Sequence, residues 1–281
     1  MKHIVLFFLL VMSFSANAAM KIVASYPPVQ SLVWSISQDV HPVSVLINNN
    51  KQGHHDITLK PTQVKTLREA DIVFWIGEDL ENFMPQALKT NAPEAFSVPL
   101  MQETADLTLL KNNVNNEKFD VHFWLNPNNA KKMLETIAMV LSQKDPTNAD
   151  KYQKNKEKAI SYFDQLKDIQ KPDKNKKIIA FHDGFSYMND YFGLNIQTVP
   201  FDIKKTPTPQ DLKKLQDYLK TQNPDCIIIE PQMSRRQEKN FGLKKLPSVK
   251  MDGFGWNIKN GPGQYYRMMN WNMKALRQCT N

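Results

Sequence analysis

The chain has 281 residues, a formal net charge of +8 and 41% hydrophobic residues, which is enough apolar material for two cores rather than one. Its lysines and arginines are spread through helical stretches instead of being gathered with aromatics, which argues against nucleic acid as a partner. Beyond the amino terminus no stretch approaches 18 consecutive apolar residues, so stable membrane insertion is not expected.

The elements in chain order begin with Lys2 and His3, an apolar run over 4–12, and the small-residue stretch Ser15-Ala16-Asn17-Ala18-Ala19. A basic start, a short apolar core and an A-x-A pattern predict a signal peptide over 1–18, cleaved near Ala18 or Ala19. No cysteine stands at the cleavage point to take a lipid, so a free periplasmic protein is expected. Short apolar, β-branched runs predict strands at 21–25, 43–47, 71–76, 121–124, 177–181, 196–199, 226–230 and 249–251, with helical segments between them. This alternation predicts an α/β fold with mostly parallel sheets. Asn126-Pro127 is the clearest helix start, because Asn can cap free N–H groups and Pro suits the first helical position; the helix should run to 141. The stretch 148–169 is lysine-rich and amphipathic, with Tyr152, Ala159, Ile160, Phe163 and Leu166 on one stripe and no strand signal. A polar break at Lys171-Pro172-Asp173-Lys174-Asn175 follows, and then the strand and helix alternation resumes. The expected organisation is a signal peptide (1–18), an N-terminal α/β lobe (19–147), a long connecting helix (148–172) and a C-terminal α/β lobe (173–281). No sequence repeat links the lobes.

Two cysteines occur, Cys226 and Cys279. Export places them where disulfides persist, and a bond between them would contribute about 4 kcal/mol by closing a long loop.

Six histidines occur. His3 leaves with the signal peptide, and His41 lies beside Pro42 in a turn. His54 and His55 follow the strand at 43–47, His122 lies in the hydrophobic run 119–125, and His182 directly follows 177–181. Asp252 similarly follows 249–251. In an open parallel sheet, ligands bind in the crevice outside the carboxyl ends of the strands. Two of these positions precede the connecting helix and two follow it, so a shared site would lie in the cleft between the lobes. Neutral imidazoles with at most one carboxylate suit tetrahedral zinc, whereas manganese favours more oxygen donors. Singly, His122 also reads as a hydrogen-bonded core residue and His54-His55 as solvated loop; spacing leaves open whether these side chains meet.

Three segments carry a more specific signal: Gly53-His54-His55-Asp56-Ile57-Thr58-Leu59-Lys60-Pro61, Asp120-Val121-His122-Phe123-Trp124-Leu125-Asn126-Pro127 and Phe181-His182-Asp183-Gly184-Phe185. They resemble, in the same order, the three metal-binding motifs of ZnuA-type zinc-binding proteins, within the cluster A-I family of ABC importer binding proteins. The segment 226–232 and Cys279 resemble that family's disulfide positions, and the similarity spans essentially the whole mature chain. The resemblance implies two α/β lobes joined by a long helix, and one zinc ion in the cleft held by His55, His122 and His182. It also implies a monomer that is not an enzyme and delivers zinc to an inner-membrane ABC permease. Relatives that take manganese or iron have glutamate where this chain has His182, so zinc is expected over manganese.

The fourth ligand has three candidates. His54 replaces a glutamate found in some zinc-binding relatives, Asp252 matches an aspartate that completes the shell in many members, and water is the third. The histidine-rich loop of many zinc-specific relatives is replaced by 111–118, which contains no histidine; the core site must then suffice, or a periplasmic zinc chaperone must help. Ile57 stands where relatives often have an aromatic. Asp56 and Asp183 adjoin proposed ligands, and Asp183 reads as a helix cap. Glu230 reads as structural from its motif and is left out of the site. The competing readings are a zinc-dependent hydrolase with an open fourth position, a manganese-binding relative, and a surface adhesin or metal buffer. The hydrolase has little support, since no H-E-x-x-H, H-x-H or G-x-S-x-G pattern occurs. A helical connector predicts small lobe movements rather than a wide clamshell motion.

Overall fold

In a computed structural model the described residues are 19–48, 57–112, 119–169, 173–201, 207–243 and 246–280. The predicted signal peptide and the residues His54, His55 and Asp56 lie outside them.

The chain runs β1 (Ile22–Ala24), α1 (Pro27–Ser37), β2 (Val43–Val45), α2 (Pro61–Arg68), β3 (Ile72–Trp75), α3 (Met84–Asn91), β4 (Phe96–Pro99) and α4 (Leu100–Glu103). Then come α5 (Pro127–Lys144) and α6 (Ala149–Asp164). The second half runs β5 (Ile178–Ala180), α7 (Ser186–Phe192), β6 (Ile196–Thr198), α8 (Pro209–Gln222), β7 (Cys226–Ile229), α9 (Arg235–Asn240), β8 (Ser248–Lys250) and α10 (Gln264–Thr280). Two four-stranded sheets result, ordered β2-β1-β3-β4 and β6-β5-β7-β8, and every pairing is parallel. The expected α/β fold with two parallel sheets is what the chain adopts. The sheets share one topology although their sequences show no repeat.

Parallel neighbours need crossover connections, and the helices that supply them cover the sheet faces. The inner strands β1, β3, β5 and β7 are therefore buried at every residue, while the edge strands β2, β4, β6 and β8 are partly exposed. This is why the inner strands stand out in the sequence as uninterrupted apolar runs.

Two elements differ from the sequence reading. β4 is an additional strand: Phe96-Ser97-Val98-Pro99 carries a proline and buries only Val98, a pattern tolerated at a sheet edge. The run at 121–124 is no strand. Asp120 Oδ1 accepts the His122 backbone N–H at 2.9 Å, which folds the chain into a turn, and Phe123–Leu125 forms a 3-10 helix. A short run buried on all sides carries no periodicity to separate strand from turn.

α5 begins as expected, with Asn126 Oδ1 accepting the Asn128 N–H at 2.9 Å and Pro127 in the first turn. α6 buries Tyr152, Ala159 and Phe163, spans about 24 Å at 1.5 Å per residue, and is flanked by the 3-10 turns Pro146–Asn148 and Gln165–Asp168. It packs against α1 and α5, and Phe163 stacks on Tyr265 of α10 with centroids 4.8 Å apart. Cys226 of β7 and Cys279 of α10 form a disulfide, Cα atoms 5.6 Å apart.

Hydrogen bonds tie the two halves directly. The Tyr187 hydroxyl donates to the Asp120 carbonyl at 2.8 Å and accepts the Leu110 N–H at 2.9 Å. Trp124 Nε1 donates to the Gly253 carbonyl at 2.9 Å, and the Tyr265 N–H donates to Ser31 Oγ at 2.9 Å. Among the described residues no helix is long and apolar enough to cross a membrane.

Candidate metal centre

In each half the second strand pairs on one side of the first and the third pairs on its other side. Loops leaving the first and third strands therefore diverge, and a crevice opens between their carboxyl ends. In the C-terminal sheet these are β5, followed by His182, and β7, followed by Glu230. Glu230 Oε1 lies 3.3 Å from His182 Nδ1, and Glu230 Oε2 accepts a hydrogen bond from Gln232 Nε2 at 2.7 Å.

His122 reaches the same place from the turn before α5. Its Nδ1 is 2.8 Å from Asp120 Oδ1, the same oxygen that accepts the His122 backbone N–H, and both residues are buried. A carboxylate at Nδ1 makes that nitrogen the donor and leaves a lone pair on Nε2, the arrangement of a carboxylate-supported metal-binding histidine. The His122 and His182 rings are 4.8 Å apart between centroids and nearly perpendicular, at 79°. They differ in access, with the His122 side chain 5% exposed and that of His182 29%.

Gly184 lies against both rings. A Cβ there would stand 2.7 Å from His182 Nδ1 and Cε1, and 3.6 Å from His122 Nε2. A side chain at this position would fill the gap between the Nδ1–Cε1 edge of His182 and Nε2 of His122. Aromatic rings form the wall beyond: Phe254 is 6.3 Å from His122, 5.0 Å from Trp124, 5.1 Å from Tyr26 and 5.3 Å from Trp256 between centroids.

The electrostatics follow from these contacts. Burial pulls the His182 imidazole down, but the carboxylates of Glu230, Asp120 and Asp183 outweigh it and leave its pKa above the ordinary histidine value. Burial pushes Glu230 up, yet His182 and Gln232 hold it below the usual glutamate value.

Asp252 is buried, and its carboxylate closes the loop after β8. Oδ1 accepts the N–H groups of Phe254 at 3.1 Å and Gly255 at 2.8 Å, and Oδ2 accepts that of Asn257 at 3.1 Å. Burial raises its pKa, and the charge of Glu230 adds to the rise against those three donors. Asp183 caps no backbone group in these bonds; it accepts the hydroxyls of Ser186 at 2.5 Å and Thr198 at 3.2 Å, tying α7 to β6. His41 stands elsewhere, its Nε2 3.0 Å from Asp145 Oδ2 and its Nδ1 accepting the Met20 N–H at 3.2 Å.

The structure thus brings together His122 and His182, with Asp120 and Glu230 behind them, while His54 and His55 lie outside the described residues. Among the described residues no group of three or more His, Cys, Asp or Glu side chains is arranged to hold a metal ion. Two imidazoles in a cradle kept open by glycine suit one side of a shell for a divalent cation that prefers nitrogen donors. Sequence reasoning set Glu230 aside. The signal that could have found it is that it ends the strand pairing with the one that carries His182.

The family described as zinc-uptake complex component A, periplasmic (ZnuA), matches residues 22–279. The high-affinity zinc uptake system protein ZnuA of Brucella abortus (strain 2308) is 25% identical over 92% of this chain and 91% of its own length. The iron ABC transporter substrate-binding lipoprotein MtsA of Streptococcus pyogenes serotype M1 is 26% identical over 81% of this chain and 78% of its own. Among solved structures, Zn(II)-bound AdcA from Streptococcus pneumoniae superposes with a TM-score of 0.75 at 23% identity over 93% of this chain. The chain spans 58% of the length of AdcA.

Proposed function

This chain belongs to the family of ZnuA, the periplasmic component A of zinc-uptake complexes, and from that premise we propose that it captures one zinc ion in the periplasm and delivers it to an inner-membrane ABC permease. The observation that carries the reading is the pair His122 and His182, with carboxylate oxygens 2.8 and 3.3 Å from their Nδ1 atoms and both rings bordering the gap that Gly184 leaves open. In this proposal His55 is the third ligand. The fourth position is taken by His54, Asp252 or water, and Asp252 would have to ligate while keeping its three backbone N–H partners. The lobes are 19–147 and 173–281, joined through 148–172, and the protein acts as a monomer after removal of 1–18.

The mechanism is capture and release. Neutral imidazoles replace the water around the ion, the aromatic wall limits solvent access, and no covalent bond is made or broken. Members of this family bind substrate for transport rather than catalysis. Because 111–118 carries no histidine, the central site gathers zinc unaided or receives it from a periplasmic chaperone.

An iron-transporting relative of similar identity makes metal choice the point to test. Calorimetry of the mature protein with zinc, manganese and ferrous iron should show one equivalent of zinc bound most tightly. Tighter binding of manganese or iron would overturn the zinc assignment. Deleting the gene should slow growth only when zinc is chelated, and growth unaffected by chelation would count against delivery to a permease.

A further inference from the structure

We propose that Glu230 is a positioning residue of the metal centre. It holds His182 at Nδ1 so that Nε2 is the metal-binding nitrogen, and together with Asp120 it provides the negative charge that neutral imidazoles lack. The inference rests on reading His122 and His182 as ligands.

Three observations carry it. The first is placement: β5 and β7 are paired neighbours, so residues just past their ends are held side by side by the sheet. Glu230 Oε1 stands 3.3 Å from His182 Nδ1, while its other oxygen is steadied by Gln232 at 2.7 Å. The second is symmetry of chemistry. His122 already has a carboxylate hydrogen-bonded at Nδ1, at 2.8 Å from Asp120, and Glu230 stands at the same nitrogen of His182 in a longer ion-pair contact, 3.3 Å, from a different element. With the proton on Nδ1 each ring would keep Nε2 for a metal, the tautomer that metal-binding histidines with a carboxylate partner adopt.

The third is charge. A divalent ion held by neutral ligands brings two positive charges into a site walled by Phe254, Trp124 and Tyr26. Burying uncompensated charge is costly. Asp120 and Glu230 each place a carboxylate directly behind a proposed ligand, where it offsets the charge of a bound divalent ion. The recognised cargo is accordingly a divalent cation that prefers nitrogen, and the two carboxylates raise the basicity of the donors.

The test begins with the metal-free wild-type protein at alkaline pH, using long-range proton–nitrogen NMR correlations of the histidine rings. Both His122 and His182 should carry the proton on Nδ1; a His182 proton on Nε2 overturns the proposal, whatever the variants do. Glu230→Gln should weaken zinc binding by about 10- to 100-fold in calorimetry and lose the uniform Nδ1–H tautomer of His182 while that of His122 persists. Glu230→Asp should recover part of the affinity, and it substitutes for Glu230→Gln if circular dichroism shows the latter unfolded. A folded Glu230→Gln protein with wild-type affinity and tautomer overturns the proposal. His182→Ala separates this outcome from failure of the underlying reading. If His182→Ala binds zinc as tightly as wild type, His182 is not a ligand; if it loses zinc while Glu230→Gln does not, only the role of Glu230 is lost.

Discussion

Glu81 and Glu230 both lie beyond the third strand of their half, Glu81 six residues past β3 and Glu230 one past β7, and they behave in opposite ways. Each follows the inner strand that pairs with the first strand of its half, β3 or β7, and each shares a crevice with the residue two positions past that first strand. In the N-terminal sheet that residue is Tyr26; in the C-terminal sheet it is His182. Glu81 turns back on its own loop, Oε2 accepting the N–H groups of Ile76 at 2.6 Å and Gly77 at 3.1 Å. Burial pushes its pKa up to about 7 despite those bonds, and burial with the Glu81 charge pushes the Tyr26 phenol far above its ordinary value. Glu230 meets an imidazole instead and stays ionised. Similar strand geometry thus serves a loop clamp at Glu81 and, in the proposed centre, the support of His182 at Glu230; the distance past the strand and the residue across the crevice differ.

The largest effect that would break this comparison is on the ligands. His122→Ala and His182→Ala should each weaken zinc binding by more than about 100-fold, beyond the range seen for outer partners, whereas Glu81→Gln should leave it unchanged in the same titration. Equal losses at Glu81 would mean that the N-terminal crevice also takes part.

Glu81→Gln should act on stability. A carboxyl whose folded pKa lies above its unfolded value contributes stability below the unfolded pKa, near 4.5, and loses it as pH rises through about 7. Glutamine keeps an acceptor for Ile76 and Gly77 without the charge. The variant should gain up to about 3 kcal/mol relative to wild type on going from pH 5 to pH 8, read by chemical denaturation of the metal-free proteins. A gain that does not depend on pH would show that Glu81 is already ionised throughout.

Gly184→Ala should cost about tenfold in zinc affinity, equivalent to about 1.4 kcal/mol, because the new Cβ would meet the His182 ring at 2.7 Å and force it to turn. The melting temperature of the metal-free protein should move little, since the contact is to a side chain at the cleft and not to the core. Unchanged affinity would show that the ring is free to reorient.

The finest distinction is in pH dependence. Zinc competes with the proton on His182, whose pKa stands above the ordinary histidine value, so affinity should begin to fall as pH drops from above about 6.5. The metal-free protein has the opposite preference. A raised folded pKa gives stability that is fully present below the unfolded value and is lost as pH rises through the folded one. In Glu230→Gln the onset of affinity loss should move to lower pH, and zinc titrations over a pH series would show it. An onset at the same pH would dissociate Glu230 from His182.

Several features were legible in the chain because they are local. Asn126-Pro127 starts α5 by side-chain capping, and the inner strands announce themselves as apolar runs because both of their faces are covered. His182 is marked by the strand it follows and by its motif. β4 escaped because an edge strand ending in proline buries one residue in four, and the run at 121–124 because Asp120 bends a buried segment that has no period. Glu230 was set aside because its motif reads as structural; its imidazole partner comes from another strand.

The sequence by itself determined the inner strands, the start of α5, the cysteine pair and the histidine motifs, since composition, capping and periodicity act over a few residues. Only the tertiary structure decided that β5 and β7 are neighbours, that the rings of His122 and His182 stand 4.8 Å apart, and that Glu230 faces an imidazole where Glu81 faces its own backbone. Periodicity reports which residues are buried. Which buried residues meet is set by the pairing of strands, and that pairing places side chains distant in the chain within hydrogen-bonding reach.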